Sequence, residues 1–108
     1  MSSEDITFLA HRSEGEGLTI KFPMTLDSLN APKAKDKCLK ALFPEIMEVR
    51  IDLTATTFLD SAGIGLIVTL YRRAKEDGFS IELVGAEGQP LSLIQSLQID
   101  KVIPLNTL

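Results

Sequence analysis

The sequence predicts an α/β domain: a mostly parallel central sheet entered through an N-terminal β-hairpin, with helices packed against it. Three features lead there. Short β-rich runs alternate with amphipathic helical patterns along the chain, which is the order that builds parallel strands joined by crossover helices. Glycine and proline mark most of the boundaries between those runs. The stretch 49–78 passes from the apolar run Val49-Arg50-Ile51-Asp52-Leu53 through a turn into a long helical pattern, so strand, turn and helix follow directly on one another. The expected order is β-β-α-β-α-β-α-β, in a single domain over residues 1–108 with its core at about 5–105.

The elements can be justified in turn. Residues 6–11 and 18–22 are two β-rich runs separated by Arg12-Ser13-Glu14-Gly15-Glu16-Gly17, and the glycines suggest an antiparallel hairpin. Pro23 ends the second strand. Asn30-Ala31-Pro32 reads as a cap followed by a first-turn proline, whose missing donor costs nothing there. The first helix then runs to about residue 43. Ala31, Ala34, Cys38, Ala41 and Leu42 share its apolar side, while Lys33, Lys35, Asp36, Lys37 and Lys40 mostly project outward. Cys38 is read as core filler and not as a reactive thiol.

Pro44 stops that helix, and Glu45-Ile46-Met47-Glu48 feeds the central strand. The second helix spans 62–77. At roughly 100° per residue, Leu66, Ile67, Leu70, Tyr71 and Ala74 form its core stripe, with Thr69, Arg72, Arg73 and Glu76 opposite. Gly78 ends it. Residues 79–84 alternate as a strand closed by Gly85; Gly88-Gln89-Pro90 opens a third helix with Leu93, Ile94 and Leu97 as its stripe. Lys101-Val102-Ile103-Pro104-Leu105 forms the last short strand, where Pro104 is acceptable at a sheet edge or at the strand's end.

Composition narrows the function. With 108 residues, 44% apolar and 24% charged, the chain can bury its own core without metals or disulfides. The formal net charge is −4 with basic and acidic residues interspersed, so there is no basic stripe and direct nucleic-acid binding is not expected. A lone cysteine excludes an internal disulfide and a multi-cysteine metal site, in keeping with a reducing compartment. No apolar run approaches membrane-spanning length, and Met1-Ser2-Ser3-Glu4-Asp5 lacks the features of a secretory signal, so a cytoplasmic protein is expected. No repeat, linker or low-complexity block interrupts the chain.

The chemistry that stands out is a serine at a helix start. Asp60 or Ser61 supplies the side-chain oxygen that an orphaned first-turn N–H needs. Negative charge arriving at such a terminus is tolerated or favoured, so a phosphate on Ser61 would be accommodated. Ser61, Ile64, Gly65 and Val68 are related by three- and four-residue steps and form one continuous patch on the flank of the core stripe. Gly65 costs on the order of 1 kcal/mol of helix stability relative to alanine unless something needs close backbone approach. Either the sheet or a docking partner could supply that need, and the outward direction of Gly65 favours the partner.

Asp60-Ser61-Ala62-Gly63, after an Ile-Asp-Leu strand and before Gly65-Leu66-Ile67, resembles the Asp-Ser-x-Gly signature of the anti-sigma-factor antagonists of the STAS-domain family. The likeness extends over nearly the whole chain, through Tyr71-Arg72-Arg73-Ala74, Gly78, Leu83-Val84-Gly85 and the closing segment from Leu97 to Pro104. The resemblance implies a bacterial, non-enzymatic partner-switching regulator of transcription. Ser61 matches the serine phosphorylated by a partner anti-sigma factor that is itself an ATP-dependent serine kinase. The unmodified form binds that partner and frees the sigma factor; phosphorylation abolishes binding, and a manganese-dependent PP2C-type phosphatase restores it. Asp60 and Gly63 match the flanking motif positions. Asp27 looks like the acidic residue that lies near the serine in relatives, although Pro23-Met24-Thr25 stands where they usually have glycine and glutamate. No catalytic residue, cofactor, bound metal or membrane contact is implied.

Competing chemistry finds little support. His11 is the only histidine and is read as a surface or satisfied residue, not a general base. No Gly-x-Ser-x-Gly elbow surrounds Ser61, and neither a P-loop nor a dinucleotide glycine fingerprint is present. Without the family likeness Ser61 would be taken as a plain cap. A phosphoacceptor receiver domain is excluded by order: Glu4-Asp5 precedes the first strand and Lys101 stands at the start of the last rather than after it, so the acid-metal pocket cannot assemble. A constitutive STAS module of a transporter or sensory complex remains the alternative.

Overall fold

The computed structural model describes residues 6–11 and 16–107, without the side chains of 8–11, so the reading of His11 as a side chain lies outside the described residues. Strands β1 (Thr7–His11) and β2 (Gly17–Lys21) pair antiparallel, as the hairpin reading expects. Strand β2 then runs parallel to β4 (Glu48–Asp52), β4 parallel to β6 (Ser80–Val84), and β6 parallel to β7 (Leu105–Asn106). The five-stranded order is β1-β2-β4-β6-β7. Helices α1 (Ala31–Ala41), α2 (Ser61–Asp77) and α3 (Gly88–Ser96) are the crossovers between successive parallel strands. This is the α/β architecture the alternation predicts.

The register shows which side the helices cover. Leu18, Val49 and Ile81 lie in one row across the sheet, and Ile20, Ile51 and Leu83 in the next; all are buried with Cys38, Leu66, Ile67, Leu70 and Ile94 from the helices. Between those rows run Thr19, Arg50 and Glu82, where Arg50 and Glu82 form an ion pair at 3.5 Å and Asn106 donates to Glu82 at 2.8 Å. One face of the sheet therefore carries the core and the other is polar, which the alternation of residues 48–51 and 80–83 already encodes.

Five local details differ from the sequence reading. Two further strands, β3 (Thr25–Leu26) and β5 (Phe58–Leu59), pair parallel as a separate two-stranded sheet. The side chain of Asn30 does not cap α1: its Oδ1 accepts the Asp27 N–H at 2.9 Å and its Nδ2 donates to the Thr25 carbonyl at 2.7 Å, so the amide is committed to the preceding loop. Helix α1 stops at Ala41, with Leu42 already extended, because Pro44 disfavours helical geometry in the residue before it. Near the C-terminus, Ile99–Lys101 is a 3₁₀ turn and β7 starts only after Pro104, whose carbonyl accepts the Leu83 N–H at 2.8 Å. Leu97, expected on the stripe of α3, caps that helix and is exposed; Pro90 and Ile94 are its buried residues. Cys38 is fully buried, as core filler should be, and burial pushes its thiol up to about 12.

Candidate functional site at the mouth of the second helix

Helix α2 begins at Ser61 because Asp60 takes the capping role. Asp60 is extended, and its Oδ1 accepts the N–H groups of Ala62 at 2.8 Å and Gly63 at 3.1 Å, satisfying two donors that the first turn would otherwise orphan. The other carboxylate oxygen, Oδ2, accepts the N–H of Ser28 at 3.1 Å, more than thirty residues back along the chain. One side chain thus ends the turn before α2 and ties down the loop between β3 and α1. Ser61, relieved of any capping duty, stands exposed as the first residue of the helix.

The segment ahead of Ser61 is fixed from two further directions. Strand β5 pairs with β3, and the N–H groups of Thr57 and Phe58 donate to the Met24 carbonyl at 2.8 and 3.2 Å. On the other side the Gln89 side chain, from the first turn of α3, accepts the Leu59 N–H at 2.8 Å and donates to the Leu59 carbonyl at 2.7 Å. The amide of Gln89 therefore pairs with Leu59 much as a neighbouring strand would, immediately before the cap. These contacts were invisible in the sequence, since no local pattern announces a two-residue strand or a side-chain amide that reaches across thirty positions.

Gly63 belongs to the same construction. A Cβ added there would lie 2.7 Å from the Leu26 carbonyl oxygen and 3.0 Å from Leu59 Cδ2, so the first turn of α2 can rest on β3 and β5 only if this residue has no side chain. Asp27 is half-buried in the adjoining loop. Its Oδ1 accepts the Leu29 N–H at 3.0 Å and its carbonyl accepts the Ala31 N–H at 2.8 Å, which holds the loop in shape close to the cap.

The four residues of the expected patch are divided by the fold. Ser61 and Gly65, one turn apart, are both exposed, and Val68 is half-buried. Ile64 is only 7% exposed and belongs to the core, in a helix that packs against β5 and β6. It can offer a partner little more than an edge. A Cβ on Gly65 would meet nothing within 4 Å, so packing against the sheet does not account for this glycine. What lies beside it is a groove of about 480 Å³ between the two helices, lined by Ala31, Pro32 and Lys35 of α1 and by Ala62, Gly65 and Thr69 of α2. Leu29, 90% exposed, stands on the loop that leads into α1, and Met24 and Phe58 are exposed on the segments that precede the cap. Composition alone could not single out these apolar surface residues.

Among the described residues no group of three or more His, Cys, Asp and Glu could hold a metal ion, and no helix is long and apolar enough to cross a membrane. The arrangement is an accessible hydroxyl at the mouth of α2, on a segment tied to β3, α3 and the loop before α1, beside a mainly apolar groove.

The family model that matches is the STAS domain, over residues 9–107. No match was found among curated proteins. Among solved structures, an anti-sigma-factor antagonist (STAS) domain protein from Planctomyces limnophilus is similar with a TM-score of 0.81 at 24% identity, over 95% of this chain and 90% of that one. An anti-sigma factor antagonist from Mycobacterium paratuberculosis gives 0.75 at 21% identity, over 97% and 88%. The murine anion transporter Solute Carrier 26 family member A9 gives 0.71 at 14% identity; 94% of this chain is covered but only 19% of the transporter. At these identities the structural likenesses speak for the fold.

Proposed function

The chain belongs to the STAS domain family, and on that footing we propose that it is an anti-sigma-factor antagonist whose partner is switched by phosphorylation of Ser61. The observation that carries this reading is the exposed Ser61 at the first position of a helix whose cap is supplied entirely by its neighbour Asp60. A hydroxyl with a structural job could not be modified without loosening the turn; this one has none.

A serine kinase, the anti-sigma factor itself, directs the Ser61 oxygen at the γ-phosphorus of ATP. The new O–P bond forms as the bond to the bridging oxygen of ADP breaks, and the hydroxyl proton passes to a base on the kinase. The product brings a charge of roughly −1.5 to −2 to the positive end of α2, which the helix tolerates. A partner that had docked over a neutral hydroxyl now meets repulsion and the cost of desolvating a dianion, and it leaves. A PP2C-type phosphatase reverses the step. The protein contributes no catalytic group or cofactor of its own and acts in the cytoplasm as one domain, with Asp60 and Gly63 holding the mouth in shape. Asp27, Gly65 and Val68, with the edge of Ile64, form the surface the partner reads.

A constitutive STAS module is the second reading, favoured by the similarity to a domain that makes up a small share of an anion transporter. Incubation with the cognate serine kinase and ATP, followed by intact-mass measurement, separates the two. A regulatory antagonist gains one phosphate, and Ser61→Ala gains none while still binding. A fixed module gains none in either form, and that result would remove the switch.

A further inference from the structure

We infer that Gln89 is a positioning residue for phosphoryl transfer to Ser61: its side-chain amide, acting through Leu59, sets where the start of α2 presents the acceptor hydroxyl. This rests on the Ser61 reading and adds a residue of α3 to that site.

The two edges of β5 are held by different partners. The N–H groups of Phe58 and Asp60 donate to the Met24 and Leu26 carbonyls at 3.2 and 3.3 Å, so these residues bond toward β3. Leu59, between them, bonds the opposite way and is fully buried, where an unpaired N–H or C=O is costly. Both groups find their partners in one side chain: Gln89 Oε1 accepts the N–H at 2.8 Å and Gln89 Nε2 donates to the carbonyl at 2.7 Å.

The pairing specifies the residue type. One end of the side chain must accept while the other donates, which glutamine does and glutamate does only when protonated. An ionised glutamate would set a carboxylate oxygen against the Leu59 carbonyl. Negative charge in the first turn would nevertheless suit α3, which has no acidic residue there and no side-chain cap from Glu87. The amide at this exposed position thus serves β5 and not its own helix.

Leu59 precedes the cap residue Asp60 and stands two positions before Ser61. With Gln89 in place both edges of β5 are fixed; without it β5 keeps β3 alone and can swing about that pairing, carrying Asp60 and Ser61 with it. Transfer needs the acceptor oxygen in line with the γ-phosphorus, and a misplacement of about 1 Å can cost on the order of 100-fold in rate. Docking of the kinase on the surrounding surface is less exacting. Loss of the amide therefore falls on kcat and leaves KM in place.

The test is steady-state phosphorylation of the full chain by its cognate serine kinase and ATP, comparing wild type with Gln89→Met, which keeps the side chain's length and removes both bonds, and with Gln89→Glu. At pH 8 each variant should lower kcat about tenfold with KM for the protein within about twofold of wild type. As pH falls to 5.5 the ratio of Gln89→Glu to wild-type kcat should rise, because the Leu59 carbonyl disfavours the charged glutamate and the protonated form regains the donor; the Gln89→Met ratio should stay flat. Gln95→Glu, the same change at an exposed position further along α3, should match wild type throughout. Gln89 has no positioning role if both variants turn over like wild type, if the loss is in KM alone, if Gln95→Glu is as slow as Gln89→Glu, or if the Gln89→Glu deficit ignores pH. Failure of both variants to fold would likewise overturn it, by making the amide a brace of the fold. If wild type itself gains no phosphate, the Ser61 reading fails and takes this role with it; if wild type and both variants gain phosphate equally fast, the role of Gln89 alone fails.

Discussion

The two ends of α2 are closed by different means. The C-terminal end needs only to stop, and it does so locally: Gly78 takes a left-handed conformation with φ of 82°, and the N–H groups of Gly78 and Phe79 both donate to the Ala74 carbonyl, at 2.8 and 3.2 Å. An ion pair, Arg73 with Asp77 at 3.2 Å, lies within the same turn. The N-terminal end is held by groups from far along the chain, with Ser28 bound to the Asp60 carboxylate, Gln89 on Leu59, and Gly63 pressed against Leu26. An end that merely terminates can rely on its own residues. The end that carries the exposed Ser61 is anchored to three other segments.

Substitutions can break this contrast, and the largest effect is expected at Gly63. Its new methyl would meet a backbone carbonyl that cannot move without disturbing β3, so Gly63→Ala should lose about 2–3 kcal/mol in denaturant unfolding, in the range of overpacked positions. Asp60→Ala should cost about 1–2 kcal/mol, the range for a lost N-cap. It should also speed amide exchange at Ser28, because the same carboxylate holds that N–H. Gly78→Ala should cost about 1 kcal/mol through its left-handed backbone and leave exchange at Ser28 untouched. If both variants loosened the Ser28 loop alike, the two ends would not differ in kind.

The smallest effect on stability sharpens the comparison most. Gly65 lies only two residues beyond Gly63, yet a Cβ there meets open space. Gly65→Ala should therefore raise stability by up to about 1 kcal/mol in thermal unfolding, the difference in helix propensity, while weakening partner binding. Loss of stability would mean that the fold, and not a partner, needs this glycine.

What the sequence made legible follows the same division. Gly78, the core stripe of α2, the alternation of β4 and β6, and the hairpin are local or periodic features, and these were readable. The Asp-Ser-x-Gly motif could be placed at a helix start for the same reason. The pairing of Thr25 and Leu26 with Phe58 and Leu59, the grip of Gln89 and the bridge from Asp60 to Ser28 depend on residues about thirty positions apart, which no window of residues contains. Asn30 shows the reverse case: a side chain suited to capping was claimed by a nearer loop carbonyl and N–H. Ile64 was placed correctly on its helix, but which neighbour covers it was a matter of tertiary packing.

The central claim is that charge on one exposed hydroxyl decides whether a partner stays. Titration calorimetry of the cognate anti-sigma factor against unmodified protein and against protein phosphorylated at Ser61 tests it most directly. Tight binding to the first and none detectable to the second is the predicted result; equal affinity for the two forms would contradict it.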